Sequence, residues 1–186
     1  MNYWNNFIGH LRTILHHKKL VRHYCFKAGL YKQGIMHDWS KYSPTEFIQG
    51  VKYYQSGKRS PNYGEKIAKG YSSAWLHHKG RNRHHFEYWI DMAIDPREGL
   101  QGMPMPTRYI IEMFCDRIAA SQNYNRDNYD DSFPLAYYEK NKDHYPLHPD
   151  ARALLEKLLH MLAEEGEETT FAYIRREVDW KHSPKH

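Results

Sequence analysis

Four groups of residues carry side chains that can do chemistry together. The first is His16-His17, and the second is His37-Asp38, at the end of the run GIMHDWSK. The third is the segment 75–89, WLHHKGRNRHHFEYW, which holds His77, His78, His84 and His85. The fourth is Glu112 with Asp116, four residues apart in an apolar stretch. Imidazole is the commonest protein metal ligand and is largely neutral near pH 7. Nitrogen and carboxylate donors together suit a divalent transition ion (Mn, Fe, Zn, Co or Ni) better than Ca or Mg. The groups alternate with strongly apolar positions, so a helical core turns them inward. Buried charges there need partners, and a metal ion is an efficient one.

Spacing tests this reading. His78 and His85 are seven apart, so on an unbroken helix they lie ~10 Å apart along the axis. That is too far for one ion bound at ~2 Å. Either the KGRN segment, with Gly80 and Asn82, breaks the helix and folds the two together, or they serve two ions.

The elements that must position these groups read as helices. Apolar residues recur at three- and four-residue steps from 3 to 27, predicting one long opening helix. A second segment runs into IMHDW and stops at SKYSP. Ser43 before Pro44 predicts an N-cap with proline in the first turn, and Glu46 completes a capping-box spacing. Residues 56–66 read as a basic loop by their Gly, Ser and Pro content. Helix is predicted from Ile67 to His78, from His84 to Ile94, and from Thr107 through Ala119, with a loop at 95–106. Residues 123–149 are rich in Asn, Asp and Pro, with a short apolar piece at Leu135 to Tyr138. A last helix is predicted at Pro149 to Glu165, and another at Thr169 to Val178. No segment alternates with period two. The expectation is an all-α bundle of six to eight helices, a single domain over 1–186 with its core at about 3–120 and a C-terminal helical extension at about 149–180.

Bulk composition narrows the classes. Fifteen per cent aromatic residues argue against disorder. Two cysteines, Cys25 and Cys115, are too few for a disulfide framework and fit a reducing, cytoplasmic setting. The opening residues lack the apolar run of a secretory signal, and no stretch approaches the ~20 apolar residues of a membrane span. The formal charge of +5 favours anionic ligands. His182 and His186 read as part of a polar tail with no specific role.

An apolar run followed by His-Asp and Ser-Lys, with a histidine upstream and an aspartate on a late helix, resembles the HD superfamily. HDWSKYSPTEF, HHKGRNRHHFEYW and the later MP..YIIEM.CD are also similar to an uncharacterised bacterial and phage family of unknown function, over about residues 10–150. The HD resemblance implies an α-helical, metal-dependent phosphohydrolase. It implies that His17, His37, Asp38 and Asp116 hold one metal, and that His78 with His84 or His85 holds a second. His16, His17 and His23 compete for the upstream position, and the separation from His17 to His37 is short for the pattern.

On that reading a bound ion makes water a ready nucleophile, and Asp38 both ligates and orients it. Lys41, Lys79, Arg81 and Arg83 are the expected phosphate contacts. Glu87 and Glu112 are the expected acceptors that fix imidazole tautomers. The expected substrate is a nucleotide or other small phosphate ester, monoester or diester. Two alternatives stand beside it: a non-catalytic metal-binding module of HD-like fold, and a nucleic-acid binder using the basic loops 56–66 and 79–83 with aromatic stacking.

Overall fold

The computed structural model describes residues 3–125 and 128–179. His182 and His186 lie outside the described residues. The chain forms a helical bundle: α1 (Tyr3–Lys27), α2 (Tyr31–Met36), α3 (Pro44–Lys52), α4 (Pro61–Lys69), α5 (Ser73–Lys79), α6 (Thr107–Asn125), α7 (Phe133–Asn141) and α8 (Pro149–Glu177). A hairpin of two three-residue strands, β1 (Ile90–Met92) and β2 (Leu100–Gly102), pairs antiparallel with Asp91 opposite Gln101. The all-α expectation holds, with this hairpin as the only sheet among the described residues.

The core lies between α1, α6 and α8. On α1 His10, Ile14, His17, Val21 and Tyr24 are buried in a stripe at four- and three-residue steps, with Cys25 beside it. His17 is therefore part of the apolar face. Helix α6 is buried through Ile110, Ile111, Met113, Phe114, Cys115 and Ile118, as expected of a central helix. Both cysteines are free and buried. Leu155, Leu158, Leu159 and Leu162 of α8 join the same cluster, so the core runs well past residue 120. Within α8 Gly166 takes φ 82°, which breaks the helix between the two stretches the sequence separates. Beyond it Phe171 and Ile174 return to the core.

Three local expectations are corrected. Residues 61–66 of the supposed loop belong to helix α4, entered through Ser60, whose side chain accepts from the Asn62 amide, with Pro61 in the first turn. The stretch 84–94 is not helical throughout: a turn, a 3-10 segment (Phe86–Trp89) and β1 occupy it. The apolar piece at 135–138 belongs to a full helix, α7. At the hairpin end, a Cβ on Gly102 would stand 2.1 Å from the Pro146 carbonyl oxygen, so only glycine lets β2 lie against the 146–148 segment.

Candidate metal centre

The His37-Asp38 pair sits where α2 ends and a 3-10 turn (Trp39–Tyr42) begins. Asp38 is left-handed, with φ 55° and ψ 30°. Aspartate tolerates this conformation better than most residues. The reversal lets two consecutive side chains both point into the protein: His37 is 1% exposed and Asp38 2%. Lys18 of α1 donates to the His37 carbonyl at 2.9 Å and anchors the turn.

The two oxygens of Asp38 face different partners. Oδ2 lies 3.3 Å from His37 Nε2 and 3.9 Å from His17 Nε2. Asp116 Oδ1 closes this side, 2.9 Å from His17 Nε2 and 3.5 Å from His37 Nε2. Oδ1 of Asp38 lies 3.3 Å from His78 Nε2 and 3.5 Å from His84 Nε2. One ligand atom from each of His17, His37, Asp38 and Asp116 falls within 4.8 Å of the others, and the same holds for Asp38, His78, His84 and His85. Asp38 belongs to both groups.

The break after α5 brings the separated histidines together. The amides of Arg81 and Asn82 both donate to the His78 carbonyl at 3.1 Å. Asn82 Nδ2 donates to the same carbonyl at 2.8 Å and to Ser40 Oγ at 2.7 Å. The chain folds back, and the His78 and His85 rings come to 4.7 Å, those of His84 and His85 to 4.2 Å. His16 and His23 are exposed, which leaves His17 as the inward one of the three competing histidines.

The far nitrogens of these rings are held by carboxylates. Glu112 Oε1 is 2.9 Å from His37 Nδ1 and 3.3 Å from His84 Nδ1, so it turns both Nε2 atoms toward Asp38. On the other side Glu46 Oε2 is 2.8 Å from His78 Nδ1 and turns its Nε2 toward Asp38, while Oε1 is 2.7 Å from His77 Nδ1. Such acceptors fix the tautomer of a metal-binding imidazole. Glu46 is a candidate site residue the sequence conceals, because its spacing from Ser43 reads as a capping box. Ser43 does accept from the Glu46 amide, but the Glu46 carboxylate goes to the histidines. Glu87, expected in this role, makes no hydrogen bond to these rings: one oxygen is buried without a partner, and burial raises its pKa.

Electrostatics follow from crowding. Burial lowers the pKa of His17, with Lys41 adding to it, and burial with His84 and His78 depresses His85 well below the ordinary imidazole range. Burial opposes the charged form of His37 and His78 too, but the carboxylates beside them outweigh it and raise both. Burial would raise Asp38 and Asp116; the surrounding cationic groups instead hold both well below the usual carboxylate range. Lys41 Nζ sits 2.6 Å from Asp38 Oδ2, and that pair keeps it charged against its burial.

The donor set fits a metal. His37 Nε2, Asp38 Oδ1, His84 Nε2 and His85 Nε2 are buried with no hydrogen-bond partner. Orphaned buried polar atoms are rare in native proteins, and here four of them belong to the two ligand groups.

A cavity of about 260 Å³ opens beside His37, Asp38, His84 and Glu112. Of the expected phosphate contacts, Arg81 and Arg83 line it, whereas Lys41 and Lys79 do not. The Arg83 guanidinium lies over the rings of Tyr88 and Tyr109. Lys32 and Arg108 line the cavity as well, neither singled out by the sequence.

A family model described as "Family of unknown function (DUF5662)" matches residues 6–161. Neither a curated protein nor a solved structure matches the chain. Among the described residues no helix is long and apolar enough to cross a membrane.

Proposed function

We propose, for a chain that belongs to the family of unknown function DUF5662, a metal-dependent phosphohydrolase of HD type acting on a nucleotide or other small phosphate ester. The observation that carries the proposal is the position of Asp38 between two sets of buried histidines, one oxygen toward each. His17, His37, Asp38 and Asp116 would hold one divalent transition-metal ion; Asp38, His78, His84 and His85 would hold a second. Such ions supply Lewis acidity and make a water molecule a ready nucleophile at neutral pH. Glu112 and Glu46 keep the imidazoles facing the ions, so the ligand set needs little rearrangement on loading. Lys41 balances Asp38 and adds positive charge where a phosphoryl group gains negative charge. The arginines of the adjoining cavity orient the ester.

The test is metal analysis of the purified protein after incubation with Mn or Co, followed by turnover of phosphomonoesters, phosphodiesters and nucleotides. Bound metal with metal-dependent hydrolysis is expected, and Asp38→Asn should abolish turnover. Absence of metal uptake overturns the metal centre. Stoichiometric metal without turnover of any ester overturns the hydrolase and leaves a binding module.

A further inference from the structure

We propose that Lys32, Arg81 and Arg108 form a second anion subsite in the cavity beside the metal centre, and that the ligand is a small phosphate ester bearing a further anionic group. The placement of the first phosphate rests on the hydrolase reading above; the second subsite rests on the cavity itself.

Lys32 lies next to α2's start, Arg81 follows α5, and Arg108 sits in the first turn of α6, so three separate elements deliver cations to one concavity. None of the three forms an ion pair among the described residues. The carboxylates that line the same cavity, Asp38 and Glu112, are already engaged: Asp38 by Lys41, and Glu112 by His37 and His84. The three cations therefore line the cavity with no carboxylate in ion-pair contact with any of them. Arg108 adds a sharper sign. Its Nε is buried with no hydrogen-bond partner, and its guanidinium lies 5.8 Å from the Tyr109 ring centre. A planar guanidinium held against an aromatic ring is stiffened for bidentate recognition of a phosphate or carboxylate. The first turn of a 19-residue helix adds positive potential on the same side.

Size narrows the ligand. The cavity, about 260 Å³, lies just under the ~300–1,000 Å³ typical of drug-sized ligand pockets. It suits one small molecule and not an extended strand of nucleic acid. A phosphate at the metal end answers the ions that His37, Asp38 and His84 would hold. Lys32, Arg81 and Arg108 then call for an additional anionic group, carboxylate or phosphate, on the same molecule.

Two probes of matched size test this: glycerol 3-phosphate, and 3-phosphoglycerate, which adds a carboxylate. Their binding is measured by calorimetry on Mn-loaded and on chelator-treated protein. A preference of roughly tenfold or more for 3-phosphoglycerate is expected in both states, the scale of a charge-assisted hydrogen bond. Lys32→Ala, at an exposed position, and Arg108→Ala should each cut the preference to about threefold or less, with metal content unchanged. Arg108→Lys, which keeps the charge and loses the fork, should retain part of it. Equal affinity for the two probes, a preference that survives Lys32→Ala and Arg108→Ala, or no binding of either probe overturns the subsite. Failure of the protein to take up Mn overturns the metal centre instead, and the chelator-treated arm still decides the subsite.

Discussion

Asp38 concentrates the demands of the site in one residue. It adopts a backbone conformation that few side chains accept, and its two oxygens divide between two sets of imidazoles. His17 and His78 each belong to one set only. The variants should therefore differ in stoichiometry. His17→Ala and His78→Ala should each lose one ion and keep the other, whereas Asp38→Ala should lose both. Metal content per protein, measured after equilibration with excess Mn and gel filtration, reads this directly. Equal losses in all three variants would mean a single ion. The sequence makes these candidate ligands legible because histidine and aspartate in apolar surroundings are costly without a partner. It leaves open which of His16, His17 and His23 faces inward, since that depends on the angle at which α1 meets α6. Glu46, Lys32 and Arg108 are hidden for a different reason. Each has an ordinary local explanation (a helix start or a surface cation), and only the fold shows that Glu46 reaches the histidines and that Lys32 and Arg108 line the adjoining cavity.

At the scale of elements, the candidate site joins the long helices α1 and α6 to short segments that side chains hold in place. Helix α5 has seven residues and carries His77 and His78. It is held to α4 by Glu65, whose carboxylate is 1% exposed. Glu65 accepts from Ser72 Oγ at 2.7 Å, Ser73 Oγ at 2.6 Å, Lys69 Nζ at 2.9 Å and the Ala74 amide at 3.3 Å. Burial would raise its pKa, but these donors hold it at about 2, against 4.5 ordinarily. A carboxyl lowered on folding stabilises the native state above its unfolded pKa, and the contribution fades as pH falls through the folded value. Glu65→Gln should thus cost about 1–2 kcal/mol at neutral pH, and the difference from wild type should shrink as pH drops from about 4.5 toward 2. Urea unfolding followed by circular dichroism across that range measures it; a pH-independent difference would contradict the role. Helix α4, which supplies Glu65, is the element the composition conceals. Its Ser-Pro entry repeats the signal at Ser43-Pro44, but Gly, Ser and Asn around it read as loop, and burial of Glu65 rather than an apolar stripe secures the helix. The hairpin is concealed because three-residue strands are too short to show a period of two.

Across the whole molecule, the ligands and the main core occupy different places on shared helices. Val21, Tyr24, Ile111, Phe114, Leu158 and Phe171 build the core from α1, α6 and α8. The site draws on α1 and α6 as well, but adds the α2 end, the turn after α5 and the α5 helix itself. A bound ion would therefore tie short segments to two helices that are already packed. Each buried core side chain contributes ~1.5–3 kcal/mol irrespective of the ion, so the bundle should stay folded when the metal is removed. The ion should still add stability by mass action, about 2.7 kcal/mol at a free concentration one hundred times Kd. For a chain of this size ~2–4 °C of Tm accompanies each kcal/mol, so Mn should raise Tm by roughly 5–10 °C, and a chelator should reverse the shift. The far-ultraviolet helical signal at 25 °C should be little changed by the chelator, and Asp38→Ala should show no Mn-induced shift at all. A chelated protein that lost its helices would place the ion inside the folding core. An Asp38→Ala protein that Mn still stabilised would place the ion somewhere other than between these histidines.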